Sequence, residues 1–546
     1  MSATGGTHEV TNQPPPLVDL DLFRSDAALR EAAAREGAID RLEELGELGR
    51  LAGSATAQEW GRQAEANPPQ LRTHDRYGHR IDVVEYHPAY HQLMTAALAH
   101  GLHATPWVDD RPGAHVTRAA KVLTWYQVDG GHICPVSMTY SVIPALRHAP
   151  VLAAEWVPRL ASRVYDDSDR PAPGKRGATA GMAMTEKQGG SDVRANTTVA
   201  RPEGDGTYRL TGHKWFCSAP MSDGFLMLAQ APGGLTCVWV PRWCPDGSRN
   251  RIALQRLKDK LGDRSNASSE IELTETWAMP VGDEGAGVRT IIEMVSHTRL
   301  DCTLGSAAIM RQCVAQATWH AHHRRAFGTE LDDQPLMVNV LADLAVESEA
   351  ATAAALRLAR AFDAGPDDEH EAHLRRLLTP VLKYWTCKRA PHHAAEALEC
   401  LGGAGYVEES GLPRLYRQAP VNGVWEGSGN VICLDVLRAM ARSPEAVDAF
   451  LAEVGSARGG DPHLDAALAE LHTILAAGPT PEDQARRLVE RMATVFQAAL
   501  LVRHSPAAVA DAFCASRLPP DQGRAFGTLA PGLDAAAVVE RARPKG

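Results

Sequence analysis

The decapeptide Ala183-Met184-Thr185-Glu186-Lys187-Gln188-Gly189-Gly190-Ser191-Asp192 lies where the chain changes its period. Behind it, Leu235, Cys237 and Trp239 alternate with Thr236, Val238 and Val240, and Glu270-Ile271-Glu272-Leu273-Thr274 alternates polar and apolar. Pro202, Gly204, Gly206, Pro232, Gly233 and Gly234 punctuate that region, so residues 181–281 read as a small antiparallel β domain. Within the decapeptide, adjacent glycines let backbone N–H groups approach a ligand, and neighbouring hydroxyls donate to carbonyl or phosphate oxygens. Gly-Gly-Ser-Asp by itself reads first as a polar turn.

The chain on either side is helical. Asp26-Ala27-Ala28-Leu29-Arg30-Glu31-Ala32 is rich in helix formers and Tyr90–Leu98 carries helical apolar spacing, after a polar, Pro-ended lead-in over residues 1–16. Val288, Ile291, Ile292 and Val295 restore that spacing, which continues to about Arg442. Beyond it, Thr480-Pro481-Glu482-Asp483 and Ser505-Pro506 read as helix starts, and Leu488, Met492, Val495 and Phe496 as one apolar face. The expected architecture is α+β, mainly α. It comprises an N-terminal helical domain (1–180), the β domain (181–281), a helical bundle (282–444) and an extra C-terminal helical domain (445–546).

Composition narrows the function classes. A net charge of −11 argues against a wholly basic nucleic-acid grip. Ten cysteines without a C-x-x-C pair suit a reducing cytosol, and neither a signal peptide nor an eighteen-residue apolar run is evident, so a cytoplasmic protein without a membrane span is expected. No Walker A motif and no Gly-x-Gly-x-x-Gly after a strand point to NAD or ATP. His320, His322 and His323 share a helix without a completing ligand, so no metal site is assigned.

Two further strings complete a pattern. Thr-Glu-x-x-Gly-Gly-Ser-Asp is followed by Gly212-His213-Lys214-Trp215-Phe216, and Val424-Trp425-Glu426-Gly427-Ser428-Gly429-Asn430 sets a carboxylate beside apolar residues, where desolvation favours its neutral form. Together they resemble the acyl-CoA dehydrogenases, over most of residues 20–442. The wording Met-Thr-Glu-Lys-Gln-Gly-Gly-Ser-Asp resembles the AidB-type alkylation-response branch of that family.

The resemblance implies FAD, held by Met182, Met184, Thr185, Gly190, Ser191, Phe216, Cys217, Ser218, Trp425, Gly427 and Asn430. It implies that Glu426 removes the α-proton of an acyl-CoA thioester while a hydride passes to flavin N5. Arg324-Arg325-Ala326-Phe327-Gly328 matches a motif whose arginine (Arg324) and phenylalanine (Phe327) reach the FAD of another subunit, so a homotetramer is expected. By residue type alone, Phe216 reads first as β-core packing and Glu426 as a helix N-terminal acid. Some relatives carry their base just before the position of Arg299; here Thr298 stands there and cannot serve. Glu399 replaces the usual glutamine, and Gln418 the usual acid, in the second family signature around Leu401–Tyr406.

AidB-type proteins are also associated with sequence-independent binding of double-stranded DNA through the C-terminal region. Residues 445–546 hold ten basic residues against thirteen acids, with Arg487 and Arg491 on one helix face, Arg486 adjacent, Arg503 near them, and Arg541, Arg543 and Lys545 in the tail. A DNA-binding protective flavoprotein with vestigial turnover is therefore the alternative, and a flavin-free oligomeric scaffold a third reading.

Overall fold

A computed structural model describes residues 7–365, 368–521 and 523–545; of the lead-in, residues 1–6 lie outside them. The first helix, Ala27–Ala33, is capped by Asp26, whose carboxylate accepts from Leu29 N. The apolar stretch around Tyr90 forms the helix Pro88–Ala99, and the helices Ala114–Tyr126 and Ile133–Leu146 are buried on all sides. The helical reading missed an antiparallel hairpin, β1 (Gln70–His74) and β2 (Arg80–Glu85). Its turn is set by Asp75 Oδ1, which accepts from Tyr77 N and His79 N.

The β domain has seven strands: β3 (Ala180–Ala183), β4 (Val199–Pro202), β5 (Tyr208–Ser218), β6 (Gly224–Ala231), β7 (Gly234–Pro241), β8 (Ile252–Leu257) and β9 (Ser268–Pro280). The order β6-β4-β5-β9-β7 returns to β6, closing a barrel, with β3 added to β6 and β8 to β9. Most ladders are antiparallel as expected, but β3 runs parallel to β6, and β4 touches β6 in the same sense. Parallel neighbours need a long crossover, and the chain between Ala183 and Gly224 supplies it. That crossover carries the Gly-Gly-Ser-Asp stretch.

The bundle is built on three long helices, Gly287–His323, Pro335–Asp363 and Glu369–Cys400, with Gly429–Arg442 beside them. The C-terminal helices pack onto it as part of the same core: Leu488, Met492, Val495, Phe496 and Phe513 are buried in one cluster with Leu341 and Leu374. Arg517 reinforces this by pairing with the buried carboxylates of Asp343 and Glu347. The helix expected from Thr480-Pro481 begins later, at Ala485, after a 3-10 turn over Glu482–Gln484, because Pro481 remains extended at ψ 147°. Ser505-Pro506 does precede a helix, Ala507–Arg517. Among the described residues no helix is long and apolar enough to cross a membrane.

Candidate functional site

The decapeptide leaves β3 and is fastened from inside. Glu186 is fully buried; it accepts from Lys214 Nζ (2.8 Å), Thr197 N (2.7 Å) and Thr198 N (3.2 Å), and these partners hold its carboxyl well below the usual range despite burial. Lys214 comes from β5, whose Trp215 N also donates to Thr185 O (2.8 Å), and Asn196 Nδ2 donates to Met184 O (2.9 Å). With its own carboxylate turned inward, the loop leaves Gly189, Gly190, Ser191 and Asp192 exposed. A Cβ on Gly190 would lie 2.4 Å from Thr185 Oγ1, so a side chain there would displace that hydroxyl. Sequence reading singled out Glu186 only as part of the motif; its role as the anchor depends on Lys214.

Alternation along β5 divides the next three residues. Phe216 is 48% exposed and Ser218 shares its face, with Ser218 Oγ 3.1 Å from Ser268 Oγ. Lys258 Nζ stands 4.7 Å from the Phe216 ring centre. Cys217 points the other way, fully buried in the barrel, where burial pushes its thiol up to about 12. The Cys217 side chain is thus not brought to the face shared by Phe216 and Ser218.

Cys134, on the helix Ile133–Leu146, belongs to the apolar cluster beneath both β3 and the Glu426 turn. Its buried thiol, pushed up to about 12, is within reach of the Ser218 hydroxyl and the charge of Glu426. Met182, Met184 and Trp425 pack on the apolar cluster that contains Cys134 and Met138. No sequence motif marked Cys134.

Glu426 sits in a strained turn before the helix Gly429–Arg442. Its φ is +58°, unusual for a residue with a Cβ, and Gly427 follows at +105°. Three successive carbonyls are clamped: Arg299 Nε donates to Glu426 O (3.0 Å), and Lys383 Nζ donates to Trp425 O (2.9 Å) and to Gly427 O. Arg299 is itself fixed by Asp435 at 2.7 Å. The cations therefore engage the backbone, while Glu426 Oε2 is shut off from solvent without a hydrogen-bond partner. Burial raises its pKa, against the smaller opposing pulls of the adjacent Thr298, Arg299 and Lys383. Lys383 escaped the sequence reading; its signal is a lone cation in the apolar run Val381-Leu382-Lys383-Tyr384-Trp385.

Of the other predicted residues, Asn430 stays beside the Glu426 turn, whereas Arg324 and Phe327 lie far from it. Asn430, in the first turn of Gly429–Arg442, accepts from Arg486 Nε at 2.8 Å. Arg324 ends the long helix Gly287–His323, twenty-five residues beyond Arg299, which is about 38 Å along a helix. There Arg324 donates to Asn12 O, and Phe327 stands 98% exposed at φ +54°. Glu399 is exposed, whereas Gln418 is buried with Nε2 unpartnered. Of the ten C-terminal basic residues, Arg486, Arg491, Arg503, Arg517, Arg541, Arg543 and Lys545 have partners within the chain. The exposed side chains of Arg458, Arg487 and Arg524 make no hydrogen bond or ion pair among the described residues.

Helices, a β barrel and a helical bundle converging on one shielded carboxylate define the class of the acyl-CoA dehydrogenases. Residues 12–167 match the adaptive response protein AidB N-terminal domain, residues 181–276 the acyl-CoA dehydrogenase middle domain, and residues 285–441 its C-terminal domain. The chain belongs to the acyl-CoA dehydrogenase family, in its AidB branch. AidB of Escherichia coli (strain K12) is 46% identical over 510 residues, 93% of this chain and 94% of that protein. Acyl-CoA dehydrogenase family member 11 of Caenorhabditis elegans is 32% identical over 92% of this chain and 86% of its own. The solved structure of Caenorhabditis elegans ACDH-11 in complex with C11-CoA superposes with a TM-score of 0.86 at 28% identity, covering 96% of both chains. Members of the family are FAD flavoproteins. The residues here fit that cofactor: a half-exposed aromatic and a hydroxyl share one face of β5, beside a loop whose glycine keeps the Thr185 hydroxyl in place.

Proposed function

We propose that this chain is an FAD-dependent acyl-CoA dehydrogenase in which Glu426 is the base. The observation that carries the reading is the Glu426 carboxylate: a solvent-shielded, unpartnered oxygen of raised pKa, held in a left-handed turn by clamps on its flanking carbonyls. Such a carboxylate is basic enough to accept a carbon-bound proton and is fixed before substrate arrives. Glu426 Oε2 would take the α-proton of an acyl thioester as that Cα–H bond breaks, and bound FAD would supply the two-electron acceptor for the β-hydrogen. Met182, Met184, Thr185, Gly190, Ser191, Phe216, Ser218, Trp425, Gly427 and Asn430 would hold the cofactor, with Cys217 restricted to its backbone. The C11-CoA complex of the nematode relative supports a thioester as the substrate class. Arg324 and the bare ring of Phe327, far from Glu426 along one helix, suit the site of another subunit in a homotetramer. Ten free thiols suit the cytoplasm.

Anaerobic titration of the flavoprotein with a panel of acyl-CoAs tests the reading. Bleaching by at least one thioester is expected, slowed about 10²–10⁴-fold by Glu426→Gln with the resting spectrum unchanged. Equal bleaching rates in the two proteins would remove Glu426 from the mechanism. The alternative, DNA binding in a protective role, draws on Arg458, Arg487 and Arg524, the C-terminal cations whose side chains are unpaired among the described residues; undiminished DNA affinity after deletion of residues 445–546 would remove it.

A further inference from the structure

A cavity of about 260 Å³ opens where the N-terminal domain, the bundle and the C-terminal helices meet, and none of its lining residues belongs to the Glu426 turn. Its walls include Arg35 and Glu36 from a π-helical turn, Arg357, Arg360 and Glu371 from the bundle, and Glu453 and Arg503 from the C-terminal helices. Four arginines thus face three glutamates. The deepest pairs are closed. Arg357 donates to both oxygens of Glu371, at 2.9 Å each, and to both of Glu453, at 3.2 and 2.9 Å, while Arg503 adds a bond to Glu453 at 3.1 Å.

The other groups are incompletely satisfied. Arg35 Nε donates to Glu36 Oε1 at 2.8 Å, but Arg35 Nη2 is buried with no acceptor. The Glu36 side chain is only 2% exposed, yet its Oε2 receives no hydrogen bond. Arg360 approaches that oxygen no closer than 3.6 Å and Glu371 no closer than 4.0 Å, leaving its guanidinium without a close partner among the described residues. A buried acceptor and a buried donor left unmade each cost free energy that a ligand can recover.

We propose that this cavity binds a phosphate group together with a hydroxyl on the same molecule. Arg360 and the free Nη2 of Arg35 supply planar donors suited to tetrahedral oxyanions. Glu36 Oε2 supplies the selection: it repels an anionic oxygen and accepts from a hydroxyl. Hydrogen phosphate meets both demands, as does a phosphomonoester whose organic part carries a hydroxyl; sulfate, fully deprotonated at neutral pH, meets only the first. Because the walls come from three regions of the chain, the bound anion would tie the C-terminal helices to the rest of the fold.

The test is calorimetric titration of the full-length flavoprotein at fixed ionic strength with inorganic phosphate, sulfate and glycerol 3-phosphate. Saturable phosphate binding is expected, with sulfate about tenfold weaker for want of one hydrogen bond to a charged group. Arg360→Met should weaken phosphate about tenfold, and Glu36→Gln, whose amide can donate, should bring sulfate close to phosphate. Glycerol 3-phosphate binding tighter than inorganic phosphate identifies a phosphomonoester as the source, and weaker binding identifies the free ion. Equal affinity of the wild-type protein for phosphate and sulfate, or no heat with either, overturns the proposal, as does an Arg360→Met protein that binds phosphate like the wild type. The anion selectivity of the wild-type protein decides the matter even if a variant fails to fold.

Discussion

Arg486 donates its Nε–H to Asn430 Oδ1 at 2.8 Å, joining the C-terminal helix Ala485–His504 to the first turn after Glu426. The contact is tight: a Cβ on Gly429 would lie 3.3 Å from Arg486 Nη2 and 3.1 Å from Lys388 Cε. The region beyond residue 441, where the match to the family's C-terminal domain ends, therefore buttresses the proposed cofactor-binding turn. Arg486→Ala is expected to weaken FAD retention roughly fivefold, the worth of one hydrogen bond of about 1 kcal/mol. Flavin dissociation measured by recovery of free-FAD fluorescence checks this. Unchanged retention would mean the contact is structural alone.

The Glu186–Lys214 pair should be the mechanical anchor of the glycine loop. Both side chains are fully buried, so removing one partner strands a charge, at a cost of about 3–5 kcal/mol. Lys214→Met is predicted to lower Tm and to release flavin, whereas Lys214→Arg should recover part of both. Because the Glu186 carboxyl is held below its ordinary range, its contribution is present above about pH 4.5 and is lost as pH falls further. A Lys214→Met protein as stable and as yellow as the wild type would contradict the anchor.

Reduction of bound flavin by an acyl-CoA should rise with pH through the pKa of Glu426, since only the ionised carboxylate accepts a proton. Burial places that midpoint above the ordinary glutamate value of about 4.3. Stopped-flow reduction across the acid range reads it directly, and Glu426→Gln should abolish the dependence.

Stability should carry a second pH signature, from Asp263. It is 3% exposed, neither carboxylate oxygen has a hydrogen-bond partner, and burial, opposed by the charge of Lys260 and aided by Glu65 and Asp129, pushes its pKa up to about 8. Below about pH 4 folded and unfolded chains both hold this carboxyl protonated. Between there and about 8 only the folded chain does, so rising pH favours unfolding by roughly 1 kcal/mol per unit from this group. Asp263→Asn should flatten that slope and gain stability relative to the wild type toward pH 8, as denaturant melts at several pH values would show. A parallel pair of pH–stability curves would refute it.

If residues 445–546 grip DNA through their unpaired cations, replacing Arg458, Arg487 and Arg524 by alanine should reduce the salt slope of binding by about 3. Fluorescence anisotropy with a short duplex at several salt concentrations measures it. The same slope in both proteins would move any DNA contact elsewhere.

The alternating run before Trp239 and the helical spacing after Val288 fixed the order of helical and β segments, because local periodicity follows from which face each element buries. The strings around Thr185 and Glu426 likewise announced a family, since glycine adjacency and an acid among apolar neighbours are visible without coordinates. What they could not announce is proximity. That β3 runs parallel to β6, that Lys214 neutralises Glu186, that Lys383 and Arg299 clamp the carbonyls around Glu426, and that Met182 and Trp425 pack on one apolar cluster with Cys134 all depend on residues 28 to more than 100 positions apart. The C-terminal arginines show the same division. Their charge was legible in the sequence, but Arg517, Arg541 and Arg503 face Glu347, Glu349 and Glu453 because packing buries those carboxylates and each then requires a cation.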